Sequence, residues 1–145
     1  LLRMGIREPI ADFFMDASQN YWVLTSSDKF LFRNAKKRTA SVFLNHVSTP
    51  NGMKDQLYDI AVIKQQLFLF YRRGLIVCYD LKTAKELYKT NSLSNQNPTK
   101  YDNTLMVVQS GSSLYQIRNG GGGIMLGYDI KKRTHTKILQ TLARL

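Results

Sequence analysis

The apolar positions of the chain fall into short runs separated by polar turns. Ile10-Ala-Asp-Phe-Phe-Met15 is followed by the turn-prone Asp16-Ala-Ser-Gln-Asn20 and a second run, Tyr21-Trp-Val-Leu-Thr25. Runs of this length, rich in aromatic and branched residues and bounded by Asp, Asn and Ser, predict a hairpin. Ser26 to Lys29 makes the next turn, Phe30 to Arg33 a third strand, Asn34 to Arg38 a third turn and Ala40 to Leu44 a fourth strand. Beyond the longer connection from Asn45 to Leu57, with Pro50, Asn51 and Gly52 at its centre, the same order returns. The second set is expected near Tyr58–Ile63, Leu67–Tyr71, Leu75–Tyr79 and Glu86–Tyr88. After a polar loop from Asn91 to Asn103, a third set is expected near Thr104–Gln109, Ser113–Arg118, Ile124–Tyr128 and Thr136–Leu139.

The sets repeat one another in sequence as well as in pattern. Ile76-Val-Cys-Tyr-Asp-Leu-Lys-Thr83 recurs as Met125-Leu-Gly-Tyr-Asp-Ile-Lys-Lys132 and, more loosely, as Phe30-Leu-Phe-Arg-Asn-Ala-Lys-Lys37. Trp22, Phe68 and Tyr115, at the centres of the second strands, are 46 and 47 residues apart. A period of about 40 to 50 residues with four strands per unit is the signature of a β-propeller, whose twisted sheets bury both faces against their neighbours. That accounts for strands such as Leu67-Phe-Leu-Phe-Tyr71, apolar on both sides. The expected fold is all-β: a single partial propeller domain over residues 1–145, with four-stranded antiparallel blades at roughly 10–44, 58–90 and 104–141. A β-sandwich of about twelve strands is the competing architecture, and the repeat spacing argues against it. Closed rings generally need about four blades or more, so three blades are expected to belong to a larger ring, with apolar end faces otherwise open to water.

Composition agrees with a globular chain. At 145 residues it is long enough for one ordinary domain, and no apolar run approaches the roughly 20 residues that a membrane-spanning helix needs. It opens at Leu1 with neither Met nor a charged-then-apolar leader, so no signal peptide is read and a piece of a longer protein is expected. The lone cysteine, Cys78, excludes an internal disulfide and sits in an apolar run, which predicts a buried, unreactive thiol.

The net charge of +11 makes a polyanionic partner worth weighing. Much of that charge is patterned. Lys36-Lys-Arg38, Lys82 with Lys85, and Lys131-Lys-Arg133 all occupy the turn between third and fourth strands, which would gather them on one face of a ring. A solvated basic rim is the simpler reading, and a docking surface for membrane, protein or nucleic acid the other.

Catalytic signatures are lacking. His46 in a loop and His135 in a fourth strand have no paired carboxylate at a motif spacing, which predicts surface or edge roles. Asn34, Asp80 and Asp129 share one repeat position opening a turn, where an Asx-type turn explains all three. Gly120 to Gly123 precedes a strand and lacks the Lys-Ser/Thr of a phosphate loop, so it reads as a hairpin tip. No catalytic residue, metal site or cofactor is expected.

The repeat frame is carried by Asn20-Tyr-Trp-Val-Leu-Thr25, by Gly74-Leu75 with Tyr79-Asp80, and by Tyr128-Asp129, with Asp12-Phe-Phe-Met-Asp16 leading into Trp22. It resembles the two-component regulator propeller repeats in the sensor regions of Bacteroides-type hybrid two-component systems, over roughly residues 10 to 140. The first unit departs from the pattern, with Asp28-Lys29 where Gly-Leu is expected, and the third has an expanded Gly run.

The resemblance implies a periplasmic, non-catalytic sensor segment of an inner-membrane histidine kinase and response regulator. Such a sensor responds to oligosaccharides and controls polysaccharide-utilisation genes. The implied partners are an oligosaccharide ligand, the remaining blades and sensor domains of the parent chain, and a homodimer of that parent; nucleic acid is not expected to bind this segment. The alternative is a non-catalytic interaction propeller whose basic face binds a polyanion or protein. For a saccharide, the turns after the second strands and the interblade loops supply the candidate ligand-binding residues Arg72, Arg73, Tyr101, Arg118 and Asn119. They combine guanidinium, amide and aromatic groups suited to sugar hydroxyls or uronate carboxylates.

Overall fold

The computed structural model describes residues 5–47, 56–72, 74–91, 105–118 and 124–140. These residues form twelve strands and no helix. The first sheet holds β1 (Ile10–Met15), β2 (Tyr21–Thr25), β3 (Phe30–Arg33) and β4 (Ser41–Leu44). The second holds β5 (Leu57–Ile63), β6 (Gln66–Tyr71), β7 (Ile76–Asp80) and β8 (Glu86–Thr90). The third holds β9 (Leu105–Ser110), β10 (Ser113–Arg118), β11 (Ile124–Asp129) and β12 (Thr134–Gln140). Each is an antiparallel meander in chain order, as the pattern predicts. Strand ends move by one or two residues: β7 starts at Ile76 instead of Leu75, because the Leu75 carbonyl closes the preceding turn by accepting from Tyr71 N at 2.9 Å. The chain divides into two compact units, Leu1–Lys54 with the first sheet and Asp55–Leu145 with the second and third.

Register makes the repeat explicit. Trp22 stands opposite Phe14 and Phe32, Phe68 opposite Ala61 and Cys78, and Tyr115 opposite Val108 and Gly127. The three residues therefore occupy one place in three equivalent sheets. The irregularities repeat too: β1 and β5 each shift register at an aspartate, where Asp12 Oδ1 accepts from Phe13 N and Asp59 Oδ1 from Ile60 N, both at 2.8 Å. A bulge leaves a backbone amide without a ladder partner, and the carboxylate supplies one.

In the first sheet, Trp22 is fully buried against the rings of Phe30 (5.3 Å between centroids), Phe32 (4.5 Å) and Phe43 (5.2 Å, edge-on). Its indole N–H is satisfied by the turn that precedes it. Asp16, itself buried, accepts through Oδ1 from the amides of Ser18 (2.9 Å) and Asn20 (3.0 Å), and through Oδ2 from Trp22 Nε1 at 2.9 Å. One side chain thus fixes the hairpin and places the largest core residue.

The departure at Asp28 is explained by its backbone. Asp28 has φ 73°, the left-handed conformation that Gly74 (φ 108°) adopts in the second sheet. Asp is among the few residues that tolerate it, and its Oδ2 also accepts from Val47 N at 3.1 Å.

Within the second unit, the second and third sheets pack face to face. Ala61, Phe68, Phe70 and Cys78 of one sheet bury against Leu114 and Tyr128 of the other, with Phe68 and Tyr128 edge-on at 6.4 Å. Polar ties stitch the same seam. Asp59 Oδ2 accepts from Val107 N and the Val62 carbonyl from Gln109 Nε2, each at 3.1 Å. Because 59 meets 107 and 62 meets 109, β5 and β9 run side by side in the same direction. Burying each large side chain here contributes about 1.5–3 kcal/mol.

Candidate functional site

The turns between third and fourth strands are built alike. Asn34 Oδ1 accepts from Lys36 N (2.9 Å), Asp80 Oδ1 from Lys82 N (2.8 Å) and Thr83 N (2.9 Å), and Asp129 Oδ1 from Lys131 N and Lys132 N (both 2.9 Å). These are the expected Asx-type turns. Backbone N–H groups favour the charged carboxylate: Asp80 is held below the ordinary aspartate pKa first by the Thr83 amide and then by that of Lys82, and Asp129 first by the Lys132 amide. The lysines they present, Lys82, Lys131 and Lys132, are exposed, as are Lys36, Lys37 and Arg38 in the first sheet, and among the described residues none of these six makes an ion pair. Arg133 is instead engaged in structure. Its guanidinium lies 3.9 Å from the Tyr88 ring centroid and its carbonyl accepts from Thr90 Oγ1 at 3.1 Å, joining the second and third sheets.

Since β5 and β9 run together, the ends of the second unit can be assigned. The Lys82 and Lys131 turns share one end with the β5–β6 hairpin at Lys64, while the last residues of β6 and β10, Tyr71 and Arg118, lie at the other. Arg72 sits in the turn after β6, half-buried, its amide donating to the Gln56 carbonyl at 2.9 Å. Arg118 closes β10, its backbone paired with Leu105 and Ile124. Arg73, Tyr101 and Asn119 lie outside the described residues, as do Gly120 to Gly123.

Sequence reasoning missed the polar groups between the second and third sheets. Gln116 is buried at a position that holds Val23 and Leu69 in the other sheets; its Nε2 donates to Tyr58 Oη at 2.6 Å and its Oε1 meets His135 Nε2. His135 does lie on an outer strand, as expected, but its ring turns inward and packs against Tyr128, 5.1 Å between centroids. An isolated glutamine in an apolar run was the available signal. Tyr128 Oη and Tyr88 Oη are 3.0 Å apart, and burial pushes both phenols above their ordinary range. Cys78 is buried as predicted, and burial pushes its thiol up to about 11. His46 is exposed, with Nδ1 4.0 Å from Asp28 Oδ2. Among the described residues no three His, Cys, Asp or Glu side chains gather into a metal-binding group.

Two surface features remain. A cleft of about 430 Å3 opens in the second unit at the lysine end of the third sheet, with Lys64, Tyr115, Gly127 and Lys131 in its lining. The adjoining face of that sheet is apolar and open, with Met106 53% and Ile138 52% exposed beside Val108 and Ile117. The register counterparts of Val108 and Ile117 in the second sheet, Ala61 and Phe70, are covered by the third. The first sheet also exposes apolar residues, Phe13 and Met15, on the face opposite Trp22.

No protein-family model matches the chain, and no curated protein matches it. Solved structures do, and these are β-propellers. YCF48 bound to D1 peptide superposes with a TM-score of 0.59 at 11% identity, covering 90% of this chain and 39% of that one. Apo AztD from Citrobacter koseri gives 0.58 at 8% identity, covering 96% and 37%. BamB from Moraxella catarrhalis gives 0.54 at 10%, covering 90% and 35%. The chain thus spans well under half the length of each, and at such identities the likeness is one of fold: this chain is three blades' worth of β-propeller wall.

Proposed function

We propose that the chain is a non-catalytic, ligand-sensing segment of a larger propeller in the periplasmic region of a hybrid two-component system, where it responds to oligosaccharides and thereby controls polysaccharide-utilisation genes. The observation that supports this reading is that the residues carrying the resemblance have defined parts in the repeat. Asp16 and Trp22 bond to each other, Gly74 takes the left-handed turn, and Tyr79-Asp80 and Tyr128-Asp129 open the lysine turns. A sensor works when ligand binds one state better than the other, so the requirement is differential binding and not turnover.

The test is calorimetric titration with a panel of oligosaccharides, alongside Arg72→Ala and Arg118→Ala. Binding in the range of about millimolar to micromolar, or roughly −4 to −8 kcal/mol, is expected without release of product. Binding untouched by either substitution would keep the function and discard that end of the sheets as the site. A second reading has its own observation: the exposed lysines at the turns suit a polyanion. Tight, salt-sensitive binding to nucleic acid with no saccharide bound would favour it.

A further inference from the structure

We infer that the cleft at the lysine end of the third sheet is a binding site for an anionic saccharide, one bearing a carboxylate or sulfate. The inference rests on the saccharide-sensing reading and moves the site to the end of the sheets opposite Arg72 and Arg118.

One lining residue sets the third sheet apart. Gly127 stands directly opposite Tyr115, where the other two sheets carry Phe32 and Cys78 opposite Trp22 and Phe68. The Ile138 side chain leans into the space left by the missing side chain, where a Cβ on Gly127 would come within 3.2 Å of Ile138 Cδ1, and both residues line the cleft. A volume of about 430 Å3 is at the small end of ligand sites, enough for one or two sugar rings.

Its lining suits a ring with hydroxyls and one negative group. Tyr115 and Ile138 give an aromatic and an aliphatic surface for the apolar faces of a pyranose, and the Ser112, Ser113 and Thr136 hydroxyls both donate and accept. Asp129 also lines the cleft. Its Oδ1 is occupied by the Lys131 and Lys132 amides, which leaves Oδ2 to accept from sugar hydroxyls. Lys64 and Lys131 are both in the lining and can meet the anionic group, so the lining carries two positive charges against one negative.

A second observation comes from the backbone. Lys64 and Gln65 form a two-residue hairpin with φ 48° and 67°, a turn that favours Gly, Asn or Asp at both positions. The equivalent of Lys64 in the third sheet is Gly111, at φ 59°. The strained hairpin is pinned by Leu81 N donating to the Gln65 carbonyl at 2.9 Å, and it places Lys64 at the cleft. Strain of this kind, in a turn that could have used glycine, fits a position retained for its side chain.

The test titrates the full chain with digalacturonate, with a sulfated disaccharide, with neutral lactose and with inorganic sulfate. Variants are Lys64→Gln, Lys131→Gln and Gly127→Val; the last displaces Ile138 and so reshapes the cleft wall, in a strand where the other sheets already carry a side chain. Protection of Cys78 from a thiol reagent reports that each variant is folded. Expected are binding of at least one of the charged disaccharides, about tenfold loss for lactose and for each lysine variant, and loss of binding in Gly127→Val with Cys78 still protected. Lactose binding as tightly as the charged sugars would overturn the inference, as would unchanged binding in folded Gly127→Val. Competition by sulfate alone at the same concentration would reduce the site to one for an adventitious ion only. Saccharide binding indifferent to all three variants would leave the sensor reading standing and discard the cleft; absence of any saccharide binding would reject both.

Discussion

The indole N–H of Trp22 donates to Asp16 Oδ2 at 2.9 Å, six residues back along the chain and across one hairpin turn. The fully buried tryptophan and the turn that precedes it are therefore a single construction. Asp16→Ala strips the acceptor from a buried indole N–H and from two turn amides, which should cost about 2–4 kcal/mol. Asp16→Asn keeps one oxygen and should lose less. Urea unfolding followed by Trp22 fluorescence measures both; equal stability of Asp16→Ala and the parent would show that the turn holds without its carboxylate.

Trp22 is the sole tryptophan and Cys78 the sole cysteine, and they lie in different compact units. With its thiol pushed up to about 11 by burial, Cys78 has roughly a thousandth of its population as thiolate at about pH 8, and it is covered besides. Modification should wait for opening of the second unit, while fluorescence reports the first. Comparing the two midpoints in one denaturant series measures how far the units unfold together. Rapid labelling of Cys78 in native buffer would contradict its burial.

Asp80 and Asp129 have pKa values depressed in the folded state. The stability they contribute is complete above the ordinary aspartate value, roughly 4, and is lost as pH falls through the lower folded-state values. Asp80→Asn and Asp129→Asn retain the side-chain oxygen that Asn34 already uses at the equivalent turn. These variants should fold at neutral pH and show a flatter loss of stability below about pH 4. Thermal melts across that range decide it, and an unchanged acid profile in the double variant would assign the pH dependence elsewhere.

Met106 and Ile117 face each other on the open face of the third sheet, and the counterpart of Ile117 in the second sheet, Phe70, is fully buried. Met106→Glu with Ile117→Glu should reduce self-association without exposing Cys78. Sedimentation velocity over a concentration series measures this. Association unchanged by both charges would mean that some other surface drives it.

The twelve strands, their grouping in fours and the alignment of Trp22, Phe68 and Tyr115 were legible in the sequence, because a repeated period and turn-forming Asn, Asp and Gly are local properties of a chain. The Asx turns at Asn34, Asp80 and Asp129 were legible for the same reason: the side chain bonds amides two or three residues away. What lies between sheets was not. Gln116 meeting Tyr58 joins residues 58 positions apart, and no local pattern announces it. The cleft at Gly127 depends on Ile138 from the neighbouring strand and on Lys64, brought to it from another sheet. Arg133 reads in the sequence as one more cation of a basic rim, yet it lies against Tyr88 as a strut between sheets. Hydrogen-bond ladders and turns are written in neighbouring residues; which polar groups face each other across packed sheets depends on tertiary register, and that arises only when the sheets dock.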